Sequence, residues 1–252
     1  MVYMKVIFLG TNGWYDTETG NTICTLICAR HYDVILDAGN GFHKVDRFIS
    51  DISQKPVYLF ISHFHLDHII GLHTLMKFKF PQGLTICGPA GTRDILGTFV
   101  NSPFTAPFSQ LQFAVSICEL PKEQSKLPFN VEVRELRHPT LTLGYRIELE
   151  GRAVTYCPDT GYCENAVYLS KASDLLIAEC AYKNGQFSES WPHLNPETAA
   201  SIAREADAKR LALVHFDAEI YKTIMDRNEA EGVAKKIFKN TFVTTDEMVI
   251  EI

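Results

Sequence analysis

Short apolar runs alternate along the chain with polar, glycine-containing breaks, a rhythm that predicts strands joined by turns rather than long helices. Lys5 to Leu9, Thr22 to Ala29 and Asp33 to Asp37 read as the first strands. They are punctuated by Gly10-Thr11-Asn12-Gly13 and Ala38-Gly39-Asn40-Gly41. Neither glycine cluster has the spacing and lysine of a P-loop or the pattern of a dinucleotide fingerprint, so both are expected to be tight turns. The unbroken run Val57-Tyr58-Leu59-Phe60-Ile61 has the length and composition of a buried strand. Beyond it the pattern gives a helix near Gly71 to Phe80, a strand Leu84 to Cys87 and a helix Thr92 to Val100. The segment Phe104 to Phe108, within a proline-containing stretch, cannot be regular throughout. Core packing is its expected role, with a lid or a dimer contact as alternatives.

The second half repeats the rhythm. Val131 to Arg137 alternates and ends at His138, and Tyr145 to Leu149 with Ala153 to Cys157 form a hairpin around Glu150-Gly151. Asp174 to Glu179 is another buried strand. Asn195-Pro196-Glu197 gives an N-cap with proline at the first helical position, starting a helix to about Ala206. Strand Arg210 to Val214 ends at His215, and a last helix runs near Glu219 to Phe238. The arrangement is α/β: two packed sheets covered by helices, with polar residues of ligand type at strand ends along one edge.

That edge carries the chemistry. His63-Phe64-His65-Leu66-Asp67-His68 places four metal-ligand side chains within six residues, directly after a buried strand. His63 and His65 are two apart, so on extended backbone their imidazoles lie on one side and can chelate one ion. Asp67 and His68 fall where the chain turns toward the next helix and can point to a second ion. His138, Asp159 and His215 recur at later strand ends, completing the composition of a two-metal site.

Size and charge narrow the reading. The 252 residues, 46% hydrophobic, read as one domain over 1–252. A net charge of −6 argues against a broad basic surface for duplex nucleic acid. No apolar run reaches membrane-spanning length, and the chain opens on a strand-like run without the features of a secretion signal. Seven cysteines without a Cys-x-x-Cys pair are expected to be reduced, buried thiols in a cytoplasmic protein.

The order and local sequence of these residues resemble the metallo-β-lactamase superfamily, in the branch of ribonuclease Z and small phosphodiesterases. The resemblance implies a four-layer αββα sandwich holding two divalent ions, zinc first and manganese as the alternative. By it, His63, His65 and His138 would hold one metal, Asp67, His68 and His215 the second, with Asp159 bridging them and Asp37 supporting the ligand loop. Redox-active di-iron members place Glu where this chain has His65, so hydrolysis is favoured. Zinc lactamases use a cysteine where Asp159 stands, and Cys157 is two residues out of place for that. The branch also carries a histidine before a helix facing the leaving group, oriented by a Glu at the end of the preceding strand. Within Trp191-Pro192-His193-Leu194-Asn195, His193 fits the first place and Glu179 the second. His31, His43 and His73 find no motif partner and are expected at the surface or in packing.

The expected activity is hydrolysis of a small or cyclic phosphodiester, with His193 as general acid and Asp67 and Glu179 in the catalytic set. Two dications with two carboxylates and one hydroxide leave about one positive charge, matching a singly charged diester. Ribonuclease Z enzymes carry a long arm between the positions matching His138 and Asp159, whereas only 21 positions separate them here. tRNA 3′ processing is therefore the lesser reading, and nucleic acid is not the favoured partner. Acyl hydrolysis of thioesters or lactones is a rival that would not need His193, a homodimer is left open, and no membrane partner is expected.

Overall fold

The structure, a computed structural model, describes residues 4–50 and 53–252. A seven-stranded sheet runs in the order Met248–Glu251, Lys5–Gly10, Cys24–Cys28, Asp33–Leu36, Val57–Phe60, Leu84–Gly88 and Val115–Glu119. Its first four strands pair antiparallel and the rest parallel. A six-stranded sheet runs Thr241–Val243, Leu211–Val214, Leu175–Glu179, Arg152–Cys157, Leu143–Leu149 and Asn130–Glu135, parallel up to Arg152–Cys157 and antiparallel beyond.

The apolar runs have a simple cause. Side chains alternate between the faces of a strand, and here both faces are covered. Val6 and Phe8 enter the core between the two sheets, while Ile7 and Leu9 enter an outer core under the turns Asn40–Arg47 and Ile70–Lys77 and the helix Thr92–Phe99. In the second sheet Ile177, Ala212 and Val214 face inward. Leu176, Ala178, Leu211 and Leu213 pack under helices Glu164–Ser170, Pro196–Glu205 and Ile224–Lys235. The layers are helix, sheet, sheet, helix, as expected. No helix among the described residues is long and apolar enough to cross a membrane.

Several elements differ from the pattern-based reading. The expected helix at 71–80 is a single α-turn, Leu66–Ile69, followed by 3-10 turns over Ile70–Lys77. Backbone bonds to another segment displace the helical ladder: the Ala38 N–H donates to the His68 carbonyl and the Gly71 N–H to the Ala38 carbonyl, both at 2.8 Å. The last helix starts at Ile224 rather than near 219 because Thr223 and Asp226 form a reciprocal capping box. Asp217 meanwhile holds the N–H groups of Glu219 and Ile220 in a turn. The hairpin at Glu150-Gly151 is as expected, both residues having positive φ (55° and 78°) as a two-residue turn demands. Phe108 packs against the outer core, whereas Phe104 is exposed, so core packing accounts for only part of that segment.

Candidate metal centre

Each ligand-type residue lies just past the carboxyl end of a strand, or in the turn after it. His63 and His65 lie on the extended stretch after Val57–Phe60, and His65 is the N-cap of the single α-turn carrying Asp67 and His68. Asp37 follows Asp33–Leu36, Asp159 follows Arg152–Cys157, Glu179 ends Leu175–Glu179, and His215 follows Leu211–Val214. Two short strands, Asn12–Gly13 and Phe216–Asp217, pair in parallel across the edge and tie the loops of the two large sheets together.

The structure brings all seven together in two groups. His63, His65, His138 and Asp159 offer ligand atoms within 4.8 Å of one another, as do Asp67, His68 and His215. His63 Nε2 lies 2.9 Å from His65 Nδ1, and His138 Nε2 lies 3.4 Å from the same atom. Asp159 stands between the groups. Its Oδ2 is 3.8 and 3.9 Å from His63 and His138, and its Oδ1 is 3.1 Å from both His68 and His215. Asp67 Oδ2 completes the second group at 3.2 Å from His215 Nε2 and 3.7 Å from His68 Nε2.

The donor set fits cations. Burial pushes His63 well below the usual imidazole range, lowers His65, and brings His138 down to about 4, so these rings are neutral. Neutral rings whose nitrogens converge at 2.9 to 3.4 Å have lone pairs to offer one shared cation. In the second group burial acts on Asp67 and Asp159 to raise them, but His68 and His215 overcome it and keep both carboxylates ionised. Burial likewise disfavours charge on His68 and His215, and the surrounding carboxylates hold both above the ordinary value instead. Among the described ion pairs these carboxylates meet only histidines, no Lys or Arg. Asp159 Oδ1 and the Nδ1 atoms of His138 and His215 are buried without a hydrogen-bond partner. Imidazole and carboxylate donors of this kind suit zinc or manganese.

The support is equally buried. Asp37 accepts four bonds of 2.7 Å: its Oδ1 from the Ser62 N–H, and its Oδ2 from the Ser62 hydroxyl, the Tyr156 hydroxyl and His68 Nδ1. Tyr145 donates to the Ile61 carbonyl at 2.6 Å, a second link from the other sheet to the ligand loop. Three non-glycine residues of the site, Trp14 (φ 71°), Asp37 (φ 55°) and His215 (φ 53°), sit in the left-handed region, a cost of roughly 1–3 kcal/mol each that the surrounding bonds offset.

Glu179 is fully buried and accepts from the Thr160 N–H at 2.7 Å, the Ala181 N–H at 3.0 Å and His193 Nδ1 at 2.6 Å. The His193 ring stacks 6.0 Å from that of His215. Burial would lower His193, but the Glu179 carboxylate holds it up at about 9. His193 also groups with Asp159 and His215 within 4.8 Å. The Glu179 carboxylate occupies His193 Nδ1 and favours the protonated ring, which orients His193 for proton donation.

Sequence reasoning missed the first glycine cluster. Gly13 lies flat on His215: a Cβ there would come within 2.5 Å of the ring. The Trp14 N–H donates to Asp67 Oδ2 at 2.8 Å. What looked like a tight turn is therefore a wall of the site, and no local signal marked it. Cys157, considered against the lactamase pattern, is buried in the outer core under the helices. His31 and His73 are exposed, and the His43 ring bonds the Asn40 carbonyl, in line with surface or packing roles.

Fold and site together define a metal-centred hydrolase class. The description "Beta-lactamase superfamily domain" matches residues 32–216, and the chain belongs to the metallo-β-lactamase superfamily. It is 26% identical to a ribonuclease Z of Metallosphaera sedula, with 96% of this chain and 97% of that protein covered. That alignment spans 288 positions, more than the 252 residues here, so the relative carries residues this chain lacks. Among solved structures, the metallo-β-lactamase fold protein YhfI from Bacillus subtilis superposes with a TM-score of 0.82 over 100% of both chains at 23% identity. The human tRNase Z short form gives 0.73 over 98% of each chain at 24% identity.

Proposed function

We propose that this hydrolase cleaves a small or cyclic phosphodiester at the centre formed by His63, His65, His138, Asp67, His68, His215 and the bridging Asp159. When bound, two divalent cations would lower the pKa of water toward neutrality and neutralise charge on the phosphate. Zinc is the preferred ion, with manganese as the alternative. The protein's own contribution is orientation and a proton. Asp37 fixes the His68 ring through its Nδ1, the role a carboxylate plays behind a ligating imidazole. His193, held by Glu179, keeps a proton for the departing alkoxide and leaves its other ring nitrogen for that oxygen.

The observation that carries this reading is the 2.6 Å His193–Glu179 bond beside the ligand cluster. A thiolate or other good acyl leaving group needs no such donor, so acyl hydrolysis is disfavoured. The names of the curated relatives favour a second reading, tRNA 3′ processing. Against it stands the path from His138 to Asp159, which among the described residues is one hairpin with a two-residue turn. The net charge of −6 also gives RNA little to hold. All seven cysteines are unpaired, which supports a cytoplasmic setting.

The test is one activity panel on purified protein: bis-p-nitrophenyl phosphate, cyclic nucleotides, a p-nitrophenyl ester, a thioester and a tRNA precursor, with metal content measured on the same sample. Turnover of the diesters above the acyl substrates and the tRNA supports the proposal. Preferential thioester or precursor cleavage overturns it.

A further inference from the structure

We propose that the cavity over the metal centre holds a nucleobase against Trp14 and Trp191, so that the substrate is a nucleotide-bearing phosphodiester; this rests on the phosphodiester reading above. The chain contains two tryptophans, and both line this one cavity of about 660 Å³ together with His193, His215 and Asp159. Neither indole is spent on the core: Trp14 is 64% exposed and Trp191 48%. Large aromatic surface left open inside a reactive cavity is recognition surface.

Both rings are anchored. Trp191 stacks nearly parallel on His65, with ring centroids 5.7 Å apart and 12° between planes, and meets His138 edge-on at 5.6 Å. Its backbone N–H donates to the Ser188 hydroxyl, and its backbone carbonyl accepts from the Tyr182 hydroxyl. Trp14 is held in the left-handed region by its N–H bond to Asp67 and packs edge-on against Tyr15 at 5.2 Å. The Tyr15 hydroxyl bonds Glu219. The backbone bond from Trp14 to Asp67 and the stacking of Trp191 on His65 keep both indoles beside the ligand loop. The other wall residues make the choice sharper. Leu66 and Ala181 add apolar surface, and no Lys or Arg lines the cavity. It offers π faces to a flat group and no cation to a second phosphate or a nucleic-acid backbone.

The test uses metal-loaded protein and two phosphate ligands that differ in the base, adenosine 5′-monophosphate and ribose 5-phosphate. Calorimetry reads affinity, and tryptophan fluorescence reads stacking. The nucleotide should bind roughly tenfold tighter and quench the fluorescence. Trp14→Leu and Trp191→Leu should each bring the two affinities to within about twofold, while Trp14→Phe and Trp191→Phe restore most of the preference. Metal content measured on every variant separates loss of stacking from loss of the centre. Equal affinities in the wild type, or an unchanged preference in both leucine variants, overturns the proposal. The underlying reading fails separately. If bis-p-nitrophenyl phosphate is turned over but the base confers no preference, the nucleobase site falls and the phosphodiesterase stands. If the preference is present without turnover of any diester, the base-binding cavity stands but the phosphodiesterase reading falls and with it the assignment of a phosphodiester substrate; absence of both removes both.

Discussion

Replacing Asp37 by asparagine tests how the site is supported without touching a residue that faces the ions. The side chain is fully buried and accepts four 2.7 Å bonds, three of them at Oδ2. An amide of the same shape has one acceptor oxygen. If its NH2 takes the Oδ1 place, it opposes the Ser62 backbone N–H, which cannot reorient. If it takes the Oδ2 place, it opposes two hydroxyls and the His68 N–H. Hydrogen bonds to a charged group contribute about 1.5–3 kcal/mol each, and hydroxyls can turn to recover part of the loss. The expected destabilisation is therefore about 2–4 kcal/mol, set against a total stability on the order of 5–15 kcal/mol, so the variant folds. Losing the carboxylate also frees the His68 ring, and affinity at the second metal position should fall roughly 10–100-fold. Urea unfolding with an unchanged m-value measures the first quantity, and chelator competition measures the second. A variant within about 0.5 kcal/mol of wild type that keeps its metal affinity would refute the argument that Asp37 organises the ligand loop.

Other expectations follow from the same geometry. His193→Ala should lower kcat by roughly 10²–10⁴ with both metals retained, and metal loss in that variant would assign His193 to the ligand set instead. Because His193 is raised to about 9 and must be protonated to donate, activity should decline as pH rises through that value. In Glu179→Gln the main group that raises it is gone and burial is opposed only by Asp159 and Asp217, so the basic limb of the pH–rate profile should move to lower pH. A limb that stays put would remove Glu179 from that role. Gly13→Ala puts a methyl group within 2.5 Å of the His215 ring and should displace that ligand. Metal analysis showing full occupancy at the second position would contradict this.

The longer strands and the His63–His68 cluster were legible because their causes are local, whereas His138, Asp159 and His215 stood out only as polar residues at strand ends and took their expected roles from the family resemblance. Both-face burial writes continuous apolar runs such as Val57 to Phe60, and a chelating segment writes its ligands close together in sequence, as His63 to His68 do. Asn195-Pro196 announced its helix through capping chemistry, which the structure repeats as a reciprocal Asn195–Thr198 box. What stayed hidden depends on distant partners. The turns after Ile69 are 3-10 because Ala38 takes their backbone bonds, and the short edge strands Thr241–Val243 and Met248–Glu251 carry too few residues to show periodicity. Gly13 and Trp14 became part of the site only through His215 and Asp67, which lie 202 and 53 positions away. Tyr156 reached Asp37 from the other sheet, a contact no window of sequence contains.

The central claim is that one carboxylate, Asp159, joins two ligand groups into a single two-ion centre that drives phosphodiester hydrolysis. Metal analysis of wild type and Asp159→Ala, with bis-p-nitrophenyl phosphate turnover measured on the same samples, tests it most directly. The account predicts two equivalents of divalent metal per chain in the wild type, and weakened binding at both positions with turnover abolished in the variant. A wild type that hydrolyses the diester while holding no more than one ion, or an Asp159→Ala protein that keeps both ions and its rate, would contradict it.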